Sequence, residues 1–170
     1  KSQEFGLRGG TENVPGIVGF AKAVEIVEKL RNSENKRLKK LQEYFLSKLK
    51  KIAPKSELNG GLKNRLPNNV NLYFTQNKVR EVRQNPRGPQ LEQNVPVEDL
   101  IIKLDLAGFA VSPGSACSAR VCSPSHVLKA LGHSDERATN SIRITFGRQT
   151  NKEVIDKLLK EIYDILRTLK

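Results

Sequence analysis

One of the two cysteines sits among small residues, in the run Gly114-Ser115-Ala116-Cys117-Ser118-Ala119-Arg120. Small neighbours leave the backbone free to bend and the sulfur uncovered, as suits a thiol that must reach another molecule. A thiolate is a far stronger nucleophile than a thiol, and a nearby cation such as Arg120 favours the thiolate. Against this reading stand the common role of a free cysteine as a small buried hydrophobe and of an arginine as a solvated charge. A second constellation lies at Arg8-Gly9-Gly10-Thr11-Glu12-Asn13-Val14-Pro15-Gly16. Glycines ahead of a hydroxyl residue at a helix N-terminus suit an anion such as phosphate, to which backbone N–H groups and the Thr11 hydroxyl can donate. The same residues also suit a plain N-cap, in which Thr11 or Asn13 satisfies the helix that starts near Pro15.

These residues need elements to hold them. From Pro15, the apolar positions Ile17, Phe20, Ala21, Val24, Val27 and Leu30 recur at helical spacing. A second helix is predicted after Asn32-Ser33, with Leu38, Leu41, Phe45, Leu49 and Ile52 on one face and Pro54 as its stop. Both helices are amphipathic, so each calls for a partner surface. Asn59-Gly60-Gly61 marks a turn, and residues 69–74 alternate in strand fashion around Val70, Leu72 and Phe74. A helix is predicted from Pro96 through Leu100, Ile101 and Leu104 to Gly108, followed by a short strand over residues 109–111 that leads to the cysteine loop. Residues 124–131 form a short helix closed by Gly132. Residues 141–146 alternate again, with Ile142, Ile144 and Phe146 on one face and Arg143 and Thr145 on the other. Thr150 and Glu153 have capping-box spacing for a final helix carrying Val154, Leu158, Ile162, Ile165 and Leu169. The expected fold class is α+β, with helices packed on a small antiparallel or mixed sheet.

A chain of 170 residues supports one full core. It has no apolar run long enough to span a bilayer, and no charged-then-apolar signal pattern opens it. Cys117 and Cys122 are too few for a disulfide framework, and with only His126 and His133 beside them they argue against a structural zinc site. A reducing, cytoplasmic setting is the default expectation. The net charge of +12 invites a nucleic-acid reading. Much of that charge lies on helix faces, as in Lys36, Arg37, Lys39 and Lys40, and aromatic residues for base stacking are sparse. That balance argues against direct nucleic-acid binding. His126 reads as a packing or capping residue in its short helix. Residues 75–95 hold Lys78, Arg80, Arg83 and Arg87 and almost no apolar side chains, so they are expected to be exposed and mobile, with a positive charge suited to drawing in an acidic partner by long-range attraction.

Four segments occur in a fixed order: residues 8–16, the cysteine run at 114–120, Pro-Ser-His-Val-Leu-Lys-Ala-Leu-Gly at 124–132, and Ser-Ile-Arg-Ile-Thr-Phe-Gly at 141–147. In this the chain resembles the C-terminal part of cysteine desulfurases, pyridoxal-phosphate enzymes of the class V aminotransferase-like group. The resemblance implies the small C-terminal domain of a fold-type I enzyme, with a cofactor-phosphate loop at residues 1–15, the small domain at 16–170 and an insertion at 75–95. It implies an enzyme that takes sulfur from L-cysteine, leaving L-alanine and a persulfide on Cys117 for iron–sulfur clusters or tRNA thiolation. Arg143 matches the arginine that holds the substrate carboxylate, a task suited to a bidentate guanidinium. Thr11 matches the threonine that reaches the cofactor phosphate across the interface of a homodimer. Cys122 does not match the family's nucleophile and reads as a bystander thiol. No metal is implied. The family's cofactor-anchoring lysine lies in a large domain ahead of this region, and Lys1-Ser2 stands where the family has glycines, so the chain alone is expected to be inactive and part of a longer or split protein. A selenocysteine lyase and a non-catalytic sulfur carrier or docking module, serving a scaffold or other acceptor protein, are the rival readings.

Overall fold

The computed structural model describes residues 4–74, 97–113 and 124–168. Cys117, Arg120, Cys122, Leu169 and the insertion at 75–95 lie outside the described residues. The described chain divides into two compact units, Lys1–Lys36 and Arg37–Lys170.

The first helix, α1, runs from Val14 to Ile52 and belongs to both units. Two helices broken at Asn32-Ser33 were expected, and the chain instead continues through. Asparagine and serine cost only about 0.5 kcal/mol each inside a helix, and the Ser33 hydroxyl donates to the Leu30 carbonyl at 2.9 Å, within the helix itself. Neither proline nor glycine stands there to force a break. In the first unit the apolar stripe is uncovered: Ile17 is 58%, Phe20 73% and Val27 58% exposed.

The second unit holds the core. Leu38, Leu41, Phe45 and Leu49 project from α1 at intervals of three and four residues and are all buried. They pack with the apolar face of a four-stranded sheet: β1 (Ser56–Leu58), β2 (Asn69–Phe74), β3 (Ser112–Pro113) and β4 (Ser141–Thr145). The strand order is β1-β2-β4-β3 and every pairing is antiparallel. Val70 and Leu72 face Ile144 and Ile142 in register across the central pair, and all four are buried. The ring of Phe45 meets Phe146 edge-on at 5.5 Å, joining α1 to the end of β4. Two further helices, α2 (Val97–Leu106) and α5 (Lys152–Thr168), add Leu100, Leu104, Ile155 and Ile162 to the same cluster. Burial on this scale contributes about 1.5–3 kcal/mol for each large side chain.

Local signals decide where the short elements begin and end. Gly108 adopts φ +86, and the bonds from Gly108 N to Asp105 O and from Phe109 N to Leu104 O close α2 in a Schellman motif. The Phe109 N–H is thereby used in the cap, so the strand expected at 109–111 forms instead at Ser112–Pro113. Proline is tolerated there because β3 is an edge strand. Gly132, at φ +84, closes the short helix α3 (His126–Ala130) in the same way, with His133 N bonded to Leu128 O. A five-residue helix, α4 (Asp135–Thr139), follows; like β1, it has no sequence-based forecast. At α5 the cap is Asn151, whose Oδ1 accepts from Val154 N at 2.9 Å. Thr150 turns instead to the preceding loop, accepting from Gly147 N, which corrects the expected capping box. Arg37 holds that loop by donating to the carbonyls of Thr150 and Gly147 at 2.6 and 3.1 Å.

Candidate active site

In β4 the pleat puts Ile142 and Ile144 in the core and leaves Arg143 half-buried on the opposite face, as the alternation predicts. Its register partners are Asn71 on β2 and Ser112 on β3, so it stands between two polar neighbours in the middle of the sheet. Among the described residues, no hydrogen bond or ion pair engages its guanidinium. A half-buried arginine with open donors is suited to a carboxylate or phosphate.

The rest of that face is closed by a polar network centred on Asn59, which is 2% exposed. Arg137, from α4, donates through Nε to Asn59 Oδ1 at 2.7 Å and pairs through Nη1 with Glu57. Asn59 Nδ2 in turn donates to Asn71 Oδ1 at 2.7 Å and to Ser141 Oγ at 2.8 Å. The Arg137 guanidinium also lies 5.1 Å from the Tyr73 ring centre. Burial raises the Tyr73 hydroxyl above its ordinary range, with Glu136 adding to the shift and Arg137 opposing it. Arg65 donates to the Asn59 carbonyl at 2.8 Å, and burial lowers its own pKa. Asn59 was legible only as part of a turn, and Asn71 only as a strand position. The available signal was an asparagine inside a strand, where that residue is disfavoured.

Thr11 belongs to the first unit, in the exposed segment ahead of α1. Asn13 is the N-cap: its Oδ1 accepts from Gly16 N at 3.1 Å, and the bare Cα of Gly16 leaves room for that side chain, since a Cβ there would meet Asn13 Nδ2 at 2.6 Å. The Thr11 hydroxyl has no hydrogen-bond partner among the described residues. Side chains at Gly9 and Gly10 would meet nothing within 4 Å, and Gly10 sits at φ +107. A hydroxyl unengaged among the described residues, with open space at the side-chain positions of the two preceding glycines, fits a phosphate group. Thr11 and Arg143 lie in different units, and Cys117 lies outside the described residues. His126 is exposed on α3. Among the described residues, no cluster of His, Cys, Asp and Glu is placed to hold a metal ion, and no described helix is long and apolar enough to cross a membrane.

The family model for aminotransferase class-V matches residues 1–158. The chain belongs to that family. It is 39% identical over 168 residues to cysteine desulfurase IscS 1 of Archaeoglobus fulgidus, a match covering 99% of this chain and 39% of that protein. Cysteine desulfurase IscS of Dictyoglomus turgidum is 39% identical over 171 residues, again covering 99% of this chain and 39% of the relative. Among solved structures, a NifS-like protein from Rickettsia africae superposes with a TM-score of 0.73 at 28% identity, over 97% of this chain and 38% of that one. The chain thus spans about two fifths of the length of these relatives. The expected α+β class, with helices on a small sheet, is the one observed, and the sheet is wholly antiparallel.

Proposed function

We propose that the complete protein is a pyridoxal-phosphate-dependent cysteine desulfurase. In the proposed reaction L-cysteine and the Cys117 thiol give L-alanine and a Cys117 persulfide, with one sulfur atom transferred. The observation that carries the reading is the half-buried Arg143 guanidinium, unengaged among the described residues, in a chain aligned over nearly its whole length with proteins named cysteine desulfurase. Arg143 binds and orients the substrate carboxylate. Cys117 accepts the sulfur, and Arg120 favours its thiolate. Thr11 holds the cofactor phosphate of a second subunit in a homodimer through its hydroxyl. Pyridoxal phosphate, when bound, supplies the electron withdrawal that loosens the substrate's carbon–sulfur bond. The persulfide then passes to an iron–sulfur scaffold or another acceptor protein in the cytoplasm.

The test uses the intact protein with L-cysteine, following alanine and sulfide release. Cys117→Ala is expected to lower turnover by about 100-fold or more, as loss of a nucleophile does. Parent-like turnover in that variant would remove Cys117 from the reaction. Faster processing of L-selenocysteine, persisting in Cys117→Ala, would favour a lyase. None of the lysines in this chain sits in the family's cofactor-anchoring motif, so the 170-residue chain alone is expected to release no alanine catalytically.

A further inference from the structure

The hydrogen-bond network on the outer sheet face has a fixed polarity. A guanidinium carries donors and no acceptor, so the bond between Arg137 Nε and Asn59 can only run toward Oδ1. That choice sets the whole Asn59 amide, and its Nδ2 must be the group facing Asn71 and Ser141. Ser141, which accepts there, gives its own proton to the Arg137 carbonyl at 2.6 Å. Asn71 is therefore oriented too. Its Oδ1 is occupied by Asn59, and its Nδ2 donors have no partner among the described residues.

Across the ladder from Asn71 stands Arg143. Register partners in an antiparallel sheet lie about 5 Å apart and present their side chains on one face. Both residues are half-buried, and the Arg143 guanidinium and the Asn71 Nδ2 are donors left unengaged among the described residues. Two neighbouring groups of that kind suit an anion with several lone pairs, and a carboxylate accepts up to about four hydrogen bonds. We infer that Asn71 is a second carboxylate-binding residue, which donates through Nδ2 to the same substrate carboxylate as Arg143 and is held in that orientation by the Arg137–Asn59 relay. The inference rests on the desulfurase reading above. A purely structural Asn71 would need only its oxygen, to accept from Asn59, and an aspartate would serve as well. A ligand-binding Asn71 needs its nitrogen.

The experiment compares Asn71→Ala, Asn71→Asp and Arg143→Ala in the intact protein, with thermal melting as a check on folding. Asn71→Ala is expected to raise the KM for L-cysteine about tenfold while kcat changes by less than about threefold, the scale of one hydrogen bond to a charged group. Asn71→Asp keeps the acceptor that Asn59 requires and is expected to melt like the parent, yet to raise KM by about 100-fold. Inhibition by cysteamine, which has the amine and thiol but no carboxylate, should be unchanged in Asn71→Ala. A KM for Asn71→Ala within twofold of the parent overturns the inference, as does equal weakening of cysteine and cysteamine. If Arg143→Ala raises KM and Asn71→Ala does not, only this inference falls. If the parent releases no alanine, or Arg143→Ala leaves KM unchanged, the reading beneath it falls as well.

Discussion

Every polar group of Asn59 is paired. Its N–H donates to the Asn71 carbonyl at 2.9 Å, its carbonyl accepts from Arg65, and its amide meets Arg137, Asn71 and Ser141. Each of those partners comes from a different stretch of chain, so one small buried side chain ties the end of β1 to β2, β4 and α4. Asn59→Ala leaves the Arg137 Nε and the Asn71 oxygen without their partner in a site that is 2% exposed. The expected cost is about 2–4 kcal/mol, from two or three lost bonds in a low-dielectric setting. Urea denaturation of the chain measures it, and a double-mutant cycle with Arg137→Ala should show a coupling above about 0.5 kcal/mol. A loss below that value for Asn59→Ala alone would mean that water replaces the network without cost. The sequence did not disclose this hub. Its side-chain partners lie 12, 78 and 82 residues away, and a turn signal such as Asn59-Gly60 explains itself locally without them. Arg143 was legible because strand alternation alone puts it opposite Ile142 and Ile144.

Among the elements, the two central strands were readable for the same reason: period-2 alternation at 69–74 and 141–146 is a strong signal when one face is buried. β1 and α4 were not. Each is short, and each is held by a long-range contact, the Arg137–Glu57 pair, that no local pattern announces. The join between α1 and α5 shows how such contacts acquire a pH dependence. Tyr44 on α1 donates its hydroxyl to Asp156 on α5 at 2.7 Å, while Lys48 and Lys152 approach its ring at 5.4 and 5.2 Å. The bond to Asp156, followed by burial and the Asp156 charge, raises the Tyr44 pKa above the ordinary 10.0. Because the folded value is the higher one, the contact stabilises fully below the unfolded pKa and is lost as pH rises through the folded pKa. Ultraviolet difference titration should therefore show Tyr44 ionising late, as Tyr73 does, and Asp156→Asn should return Tyr44 alone toward the ordinary range. An unchanged titration curve in that variant would leave the shift without its cause.

Across the whole molecule, support is distributed unevenly along a single helix. The backbone of α1 is continuous from Val14 to Ile52, but in the second unit Leu38, Leu41, Phe45 and Leu49 are buried, whereas none of the described residues of the first unit is. The first-unit part of α1 rests on its own propensity and on exposed pairs such as Lys22–Glu25 and Glu28–Arg31. Pairs of that kind contribute about 0.3–0.5 kcal/mol each, and a helix without tertiary packing is marginal in water. The second-unit part cannot open without exposing the core that also contains β2, β4 and α5. Amide exchange in the 170-residue chain should register this difference within one helix. Residues 17–36 are expected to exchange at least about 100-fold faster than residues 41–49, because local opening costs far less than global unfolding. The measurement belongs at low protein concentration, since the uncovered Ile17, Phe20 and Val27 favour association. Equal protection along the whole of α1 at the lowest concentration would contradict the argument, since propensity alone cannot hold the first half as firmly as a packed core holds the second.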